Sequence, residues 1–385
     1  MFSFISNHAG KHARRVFFAF ARHILLPAAG LFLLTLCVAC AAFGPAENDA
    51  ASAAAQKDRN TLTVLCVDFP EYDWTRSIIG AANSSQPASA SQDKNAKKIV
   101  VQLLNTAGAD MHSYQPTIAD MVKIANCDLL IYNGGASQFW VEDALKAYPN
   151  PDRQVLSLMR LFESEPDRFP TYVLDEDEDE HEHEEHAHSH GEHDHEDETD
   201  EHLWLSLKMS REFCRATASQ LAALNPTAAA AYQASAAAYI QKLDALDGKI
   251  TKLVRQSTCK TLIFADRYPF KYFCDDYGLA HEAAFPGCSA ETEASFETII
   301  SLADDLKALP KSRLVTLDGG SAALAETITR AAELPETQIV TLYSMQSLPQ
   351  TVRALRESGK IQNEREVTYL YLMEQNYESL ARLLS

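Results

Sequence analysis

The sequence predicts an α/β fold of two similar lobes, each built on a parallel sheet, joined by one long helix. Strand-length apolar segments alternate with helical patterns in both halves of the chain, which is typical of βαβ units. An Ala-rich helical pattern from Thr227 to Gln256 separates the halves. The elements after this helix roughly repeat those before it, so we expect two Rossmann-like lobes that face a cleft.

Composition and charge limit the classes of function. The chain has 385 residues, 46% of them hydrophobic, which is enough for about two domains. Sixteen acidic residues lie within 175–201, so this segment carries most of the net charge of −19 and the rest of the chain carries only −3. No basic stripe is left that would bind nucleic acid.

The N-terminus predicts export. Residues 1–39 combine a basic start with an apolar stretch from Ile24 to Ala39, which is too short for a confident membrane span. Ala39 before Cys40 resembles a lipoprotein cleavage box, so we expect acylation of Cys40 and a membrane anchor outside the cytoplasm, at the bacterial surface or in the periplasm. The alternatives are a plain signal peptide and twin-arginine export through Arg14-Arg15.

The first lobe is expected at 61–224, after a flexible tether at 40–60. Strands and helices alternate in it because β-branched runs are followed by helical spacing. Its predicted elements are strand Thr61–Phe69, a helix through Trp74 and Ile79, strand Ile99–Leu104, helix Thr117–Ala125, strand Asp128–Tyr132, a helix from near Phe139 and helix Leu205–Leu224.

The long helix and the second lobe follow at 225–258 and 259–385. A helix of this length spans roughly 45 Å and can act as a rigid spine. The predicted elements of the second lobe are strand Thr261–Phe264, helix Pro269–Tyr277, helix Thr292–Ala308, strand Arg313–Leu317, helix Ala322–Ala332, strand Gln338–Leu342 and helix Glu364–Leu384.

A His-rich acidic loop at 175–201 is the most unusual stretch of the chain. Its composition cannot bury an apolar face, and we expect it to be disordered without a ligand. Imidazoles interleaved with carboxylates suit borderline ions such as zinc and offer interchangeable ligand sets, which predicts weak metal collection. A solvated acidic linker is the plainer alternative. Seven histidines carry the prediction: His181, His183, His186, His188, His190, His193 and His195.

Outside the leader and this loop, the chain has three histidines. His112 lies on a loop after a predicted strand, and His202 lies where the acidic loop gives way to an apolar pattern. Asp110 and Asp200 are close to them in sequence and could orient the imidazoles. We therefore expect His112 and His202 to ligate a metal, and we expect His281, on a short strand-like stretch, to be structural.

Four motifs together resemble the cluster A-I zinc and manganese solute-binding proteins of ABC importers. GADMHSYQPTIAD is similar to the G-x-D-x-H-x-Y-x-P loop of that family, and DEHLWLS is similar to D-P-H-x-W-L. FKYFCDDYGL and the spine helix also match, and a His-rich loop is typical of the zinc members. The resemblance implies a monomeric, non-enzymatic protein that captures metal between two lobes and delivers it to a permease and its ATPase.

In the second lobe, the resemblance leaves the ligands open. The family position for His or Glu falls on Arg267, whose guanidinium has no free lone pair. We expect the neighbouring Asp266 to replace it, with a salt bridge or a helix cap as its alternative role. The final family Asp falls near Met345, a thioether unsuited to a hard site, and Asp318 at a strand end is the expected substitute.

Three alternatives to zinc import remain open from the residues. Histidines with carboxylates also accommodate manganese, although the nitrogen-rich loop favours zinc. A secreted zinc hydrolase would need an open coordination position for water, and the sequence has neither HExxH nor GxSxG. A metal buffer without a transporter is the third alternative.

The cysteines indicate no metal-binding cage. Six of the eight follow the export signal and its Cys40, and they form no CxxC pair. Six cysteines allow fifteen complete pairings, and the sequence does not choose among them. We expect buried structural thiols.

Deleting residues 175–198 should remove several weak metal sites and leave one tight site per chain, because the predicted tight ligands lie on ordered elements. Equilibrium dialysis with elemental analysis of the full chain and the deletion variant measures both classes. Loss of the tight site in the deletion variant would contradict the division between collecting loop and ordered site.

Overall fold

The computed structural model describes residues 61–85, 97–106, 109–165, 167, 200–285, 294–346, 348–363 and 366–385. The predicted export signal, the tether with Cys40, and the His-rich loop up to residue 199 lie outside these residues. Among the helices of the described part, none is long and apolar enough to cross a lipid bilayer.

The first lobe contains a four-stranded parallel sheet. Its strands pair in the order β2-β1-β3-β4. The strands are β1 (Thr61–Cys66), β2 (Lys98–Leu103), β3 (Leu129–Tyr132) and β4 (Gln154–Ser157), and the helices are α1 (Phe69–Ser85), α2 (Ile118–Asn126), α3 (Phe139–Ala147) and α4 (Leu158–Ser164).

Two local features of this lobe differ from the sequence-based expectation. Phe69 begins α1 instead of ending β1, because Pro70 fits the first turn of a helix, where its missing N–H costs nothing. The short pair β4 and α4 was not predicted. Gln154–Ser157 has only four residues and too little alternation to indicate a strand.

The predicted spine is helix α6 (Ala229–Gln256), which follows helix α5 (Leu207–Leu224). Helix α6 has 28 residues and is therefore about 42 Å long. Asn225 and Pro226 separate the two helices, as the sequence predicts. Helix α6 buries an apolar stripe against its neighbours, with members at Tyr232, Ala236, Tyr239, Leu243, Leu246 and Ile250.

The second lobe repeats the sheet of the first. Its four parallel strands pair in the order β6-β5-β7-β8, which is the same permutation as in the first lobe. The strands are β5 (Thr261–Arg267), β6 (Ala280–Phe285), β7 (Arg313–Leu317) and β8 (Gln338–Leu342), and the helices are α7 (Lys271–Tyr277), α8 (Phe296–Ala308), α9 (Ala323–Ala331), α10 (Leu348–Glu357) and α11 (Tyr369–Leu383). The predicted pair of α/β lobes joined by a long helix is confirmed.

A network of buried hydrogen bonds around Trp204 connects distant segments. The indole nitrogen of Trp204 donates to the carbonyl of Ser344 at 2.9 Å, and the Tyr369 hydroxyl donates to the carbonyl of Trp204 at 2.6 Å. The backbone nitrogen of Tyr369 in turn donates to Asp73 on α1 at 2.9 Å. The segment just after His202 is therefore held against the segment that follows β8.

Five cysteines in the described residues are free thiols. Cys66, Cys127, Cys214 and Cys274 are buried, and Cys259 is partly buried. Burial raises the pKa of the Cys66 thiol well above its usual value, so it stays protonated at neutral pH. These thiols agree with the expected structural role. Cys288 lies outside the described residues.

Candidate metal centre

His112 is positioned by a short turn after β2. The turn, Met111–Ser113, is capped by Asp110, whose Oδ1 accepts a hydrogen bond from the backbone nitrogen of His112 at 3.0 Å. Ser137, from the loop after β3, places its Oγ 2.6 Å from Nδ1 of the His112 ring. The ring is thereby held by residues that follow β2 and β3, the two strands on either side of β1, at the carboxyl edge where parallel α/β sheets bind ligands.

His202 is almost completely buried, at 2% exposure. Oδ1 of Asp200 accepts from the His202 backbone nitrogen at 2.8 Å and lies 3.0 Å from Nδ1 of its ring. The ring packs edge-on against Trp204, with centroids 5.2 Å apart. Tyr272 in the second lobe donates its hydroxyl to the carbonyl of Asp200 at 2.8 Å. The predicted role of Asp200 in orienting the imidazole fits these contacts.

The Nε2 atoms of the His112 and His202 rings lie 3.2 Å apart. Asp200 accepts from Nδ1 of His202, which leaves a lone pair on Nε2 of that ring. When Nδ1 of His112 donates to Ser137 Oγ, the second Nε2 also presents its lone pair. Two neutral imidazoles then point at one place, and neutral imidazole nitrogen is a preferred ligand of zinc.

Gln346 from the second lobe completes this group. It follows β8, is 6% exposed, and has its side-chain nitrogen 3.0 Å from Nε2 of His112 and 2.7 Å from Nε2 of His202. Gln346 is not among the ligands predicted from the sequence, because amides are uncommon ligands. The available signal was its place directly after Met345, near which the resemblance puts the final family Asp.

The two carboxylates predicted for the second lobe have other contacts. Oδ2 of Asp266 accepts from the backbone nitrogen of Leu317 at 3.1 Å, and its Oδ1 accepts from that of Arg267 at 2.9 Å. Oδ1 of Asp318 accepts from the backbone nitrogen of Ser344 at 2.6 Å, and its Oδ2 accepts from the Thr351 hydroxyl. The structure does not bring either carboxylate to the imidazole pair, and their ligand role stays a prediction.

Arg267 stands where the family motif has its ligand and makes a salt bridge instead. Its Nη2 lies 3.1 Å from Oδ2 of Asp110, whose other oxygen holds the backbone of His112. This contact ties the end of β5 in the second lobe to the His112 turn in the first.

Buried acids surround the first-lobe side of the centre. Burial raises the pKa of Asp68 to about 6, although Gln138 donates to its carboxylate and His112 attracts its charge. Burial also raises the pKa of Glu71 well above its usual value, and the nearby Asp68 carboxylate adds to that rise. Glu201, next to His202, accepts from the backbone nitrogen of Ser137 at 2.8 Å.

The loop after β3 requires glycine where it passes Glu201. Gly135 has a φ of +82°, and a Cβ at this position would come within 2.5 Å of Oε1 of Glu201. Only glycine adopts this conformation without strain and leaves room for the carboxylate. The Asn133-Gly134-Gly135 sequence thereby lets the loop approach closely enough for Ser137 to reach His112.

In the described residues, no three His, Cys, Asp or Glu side chains lie close enough together to hold a metal ion. The centre consists of two imidazoles and one amide, contributed by both lobes. Such a set has only neutral donors. His281 lies elsewhere, on β6, where its ring stacks on Tyr268 with centroids 3.8 Å apart.

The chain matches a protein-family model over most of its length. Residues 88–383 match the model of the ZnuA family, described as zinc-uptake complex component A, periplasmic. The chain belongs to this family. The match covers the first lobe from residue 88 onward, the spine and nearly all of the second lobe, and the predicted resemblance is confirmed.

Individual relatives support this membership. The chain is 25% identical over 322 residues to the zinc-binding lipoprotein AdcA of Streptococcus pneumoniae, and these residues are 83% of the chain and 55% of AdcA. It is 23% identical over 360 residues to the high-affinity zinc uptake system protein ZnuA of Bacillus subtilis, covering 91% and 96% of the two chains. The chain thus spans about half the length of the AdcA relatives and nearly all of the Bacillus protein.

Solved structures show the same fold. The Zn(II)-bound ZnuA-like domain of S. pneumoniae AdcA superposes with a TM-score of 0.59 at 22% identity, over 84% of this chain and 99% of that domain. The metal-dependent lipoprotein YcdH from B. subtilis gives a TM-score of 0.59 at 20% identity, over 84% and 100%.

Substituting Asp266 or Asp318 by Asn tests whether these residues are ligands, because Asn removes the negative charge and retains one of the two oxygen acceptors. If Asp266 is a ligand, as the sequence predicts, loss of its carboxylate in Asp266→Ala should weaken tight zinc binding by orders of magnitude. The hydrogen bonds in the structure predict instead that Asp266→Asn binds zinc within about tenfold of wild type, well short of the loss of a ligand.

Chelator competition on the full chain measures the zinc affinity, with Asp304→Asn, an exposed substitution on α8, as the matched control. An affinity loss of orders of magnitude in Asp266→Asn with an unchanged melting temperature would establish Asp266 as a ligand. The same pattern in Asp318→Asn would assign that role to Asp318.

Proposed function

We propose that this protein captures zinc outside the cytoplasm and delivers it to an ABC importer made of a permease and its ATPase. The approach of the two Nε2 atoms to 3.2 Å carries the proposal, because two imidazole lone pairs directed at one place form a ready site for a borderline cation. The names of the relatives, which describe zinc binding and zinc uptake, support the same cargo.

Zinc is favoured over manganese by the donor atoms. Manganese prefers carboxylate, carbonyl and water ligands, whereas imidazole suits zinc and its neighbours. Among the described side chains at the centre, two offer an imidazole nitrogen as a ligand and the third offers an amide group. A manganese importer component is the alternative, and it would need Asp266 or Asp318 to turn towards the ion.

Capture fits this centre better than catalysis. A catalytic zinc keeps one position open for water and substrate. His202 is 2% exposed and the Gln346 amide already contacts both rings, so the centre is closed from the second-lobe side. We therefore propose a transport component that is not an enzyme, in preference to a secreted hydrolase or a metal buffer.

The proposed setting is the outer face of a bacterial membrane. Residues 1–39 would direct export, and a lipid on Cys40 would anchor the chain beside its permease. The His-rich loop would then supply loosely bound zinc to the ordered centre. We propose a monomer, since the centre uses residues of a single chain.

Substituting His112 or His202 by Ala tests the function directly. Each substitution should weaken zinc binding by orders of magnitude, because it removes one of two imidazole ligands and leaves the other without a partner. His281→Ala is the matched control, since His281 is exposed and stacks on Tyr268 away from the centre. Chelator competition on the full chain gives the affinities.

Delivery of zinc is measured by growth in zinc-depleted medium. The cells carry one of these variants as their only copy of the protein. The proposal predicts that His112→Ala cells need added zinc and that His281→Ala cells grow as wild type. Equal tight binding by wild type and both site variants would contradict it.

A further inference from the structure

The Gln346 amide occupies the place that a metal ion would need. A zinc ion bound by both rings lies about 2.0–2.1 Å from each Nε2 atom. The Gln346 nitrogen lies 2.7 Å from one Nε2 atom and 3.0 Å from the other, which are ordinary hydrogen-bond distances. The amide and the ion therefore compete for the same two lone pairs.

The hydrogen-bond roles follow from the partners of the rings. A primary amide nitrogen has two hydrogens and accepts no hydrogen bond, so it can approach the two rings only if each Nε2 accepts. Oxygen atoms of Asp200 and Ser137 lie at the two Nδ1 atoms, where they can accept hydrogen bonds from the Nδ1–H groups. One amide group can then donate one hydrogen to each imidazole.

We propose that Gln346 serves the centre in two states. In the metal-free state its NH2 group holds both imidazoles, and in the loaded state the amide turns over so that its oxygen becomes the ligand from the second lobe. This inference rests on the proposed zinc function and names the residue that closes the centre. The Gln side chain suits this exchange because one uncharged amide carries two N–H donors and, on a separate atom, an oxygen acceptor.

The segment that presents Gln346 is held on three sides. Asn376 on α11 accepts from the backbone nitrogen of Tyr343 at 2.7 Å and donates to its carbonyl at 2.9 Å. Asp318 binds the nitrogen and the hydroxyl of Ser344, and Trp204 donates to the carbonyl of Ser344. Because Trp204 lies two residues after His202, the same contacts set the distance between Gln346 and that ring.

Met345 shows that this backbone is constrained. Its φ is +64°, in the left-handed region that residues other than glycine seldom adopt. Such a conformation persists only where the surroundings impose it, and it is found most often at binding sites. Here the hydrogen bonds on Tyr343 and Ser344 impose it, and the result is that the next side chain points at the imidazoles. Asp318 accordingly acts as a positioning residue.

The proposed ligand defines the class of cargo. Two imidazoles and one amide oxygen bring no negative charge to a divalent ion. Manganese binds best to oxygen ligands such as carboxylates, so this set should disfavour it, while zinc and similar borderline ions bind neutral nitrogen well. We infer that Gln346 sets the preference for zinc.

Three substitutions at this position test the inference. Gln346→Glu retains an oxygen ligand and loses the two N–H donors, Gln346→Ala removes both functions, and Gln346→Leu does so with little loss of volume. Gln338→Glu is the matched control, because Gln338 is exposed at the opposite end of the strand that leads to Gln346.

The full chain is studied with metal added below one equivalent, so that the tightest site fills first. Gln346→Ala and Gln346→Leu should lower zinc affinity roughly 10- to 100-fold and should change the visible spectrum of bound cobalt, which reports on the ligand set. Gln346→Glu should bind manganese at least about tenfold more tightly than wild type does, because a carboxylate suits that ion. Its metal-free form should also melt at a lower temperature, since a carboxylate cannot donate to the two rings.

Wild-type zinc affinity and an unchanged cobalt spectrum in the Ala and Leu variants would overturn the inference while leaving the proposed function intact. Absence of tight zinc binding in the wild-type chain, with His112→Ala no weaker, would instead overturn the proposed function itself. Unchanged manganese affinity and metal-free stability in Gln346→Glu would likewise contradict the two-state role.

Discussion

Two imidazole nitrogens held 3.2 Å apart are the constraint on which the rest of the centre depends. Two lone pairs that face each other at this distance repel unless a hydrogen donor or a cation lies between them. In the proposed metal-free state that donor is the Gln346 amide, and in the proposed loaded state the zinc ion takes its place. Asp200 and Ser137 maintain the arrangement because each can occupy the Nδ1 side of one ring.

The fold supplies the opposing surfaces that this constraint requires. Both sheets are parallel, so the loops at their carboxyl ends gather at one edge of each lobe. His112 and Ser137 come from such loops in the first lobe, and Gln346 comes from one in the second. The bond between Trp204 and Ser344 and the salt bridge between Arg267 and Asp110 join these edges. The spine helix α6 and its partner α5 link the lobes through a common apolar core.

The sequence predicted the architecture well because hydrophobic periodicity and chain order determine it. The two lobes, the spine and the chain breaks around it followed from local patterns, whereas β4, with four residues, was too short to produce one. At the centre, the pairing of His112 with His202 followed from two motifs, although 90 residues separate them. Gln346 could not be predicted in the same way. Its proposed role depends on hydrogen bonds that Tyr343 and Ser344 make with Asp318, Asn376 and Trp204. These three partners are distant in sequence and leave no local pattern.

The most direct test of the central claim is a crystal structure of the chain with one equivalent of zinc, with anomalous scattering measured at the zinc absorption edge. The account predicts one dominant peak about 2.0–2.1 Å from Nε2 of both His112 and His202, with the Gln346 amide oxygen in its coordination shell. A dominant peak bonded to only one of these rings, or to neither, would contradict it.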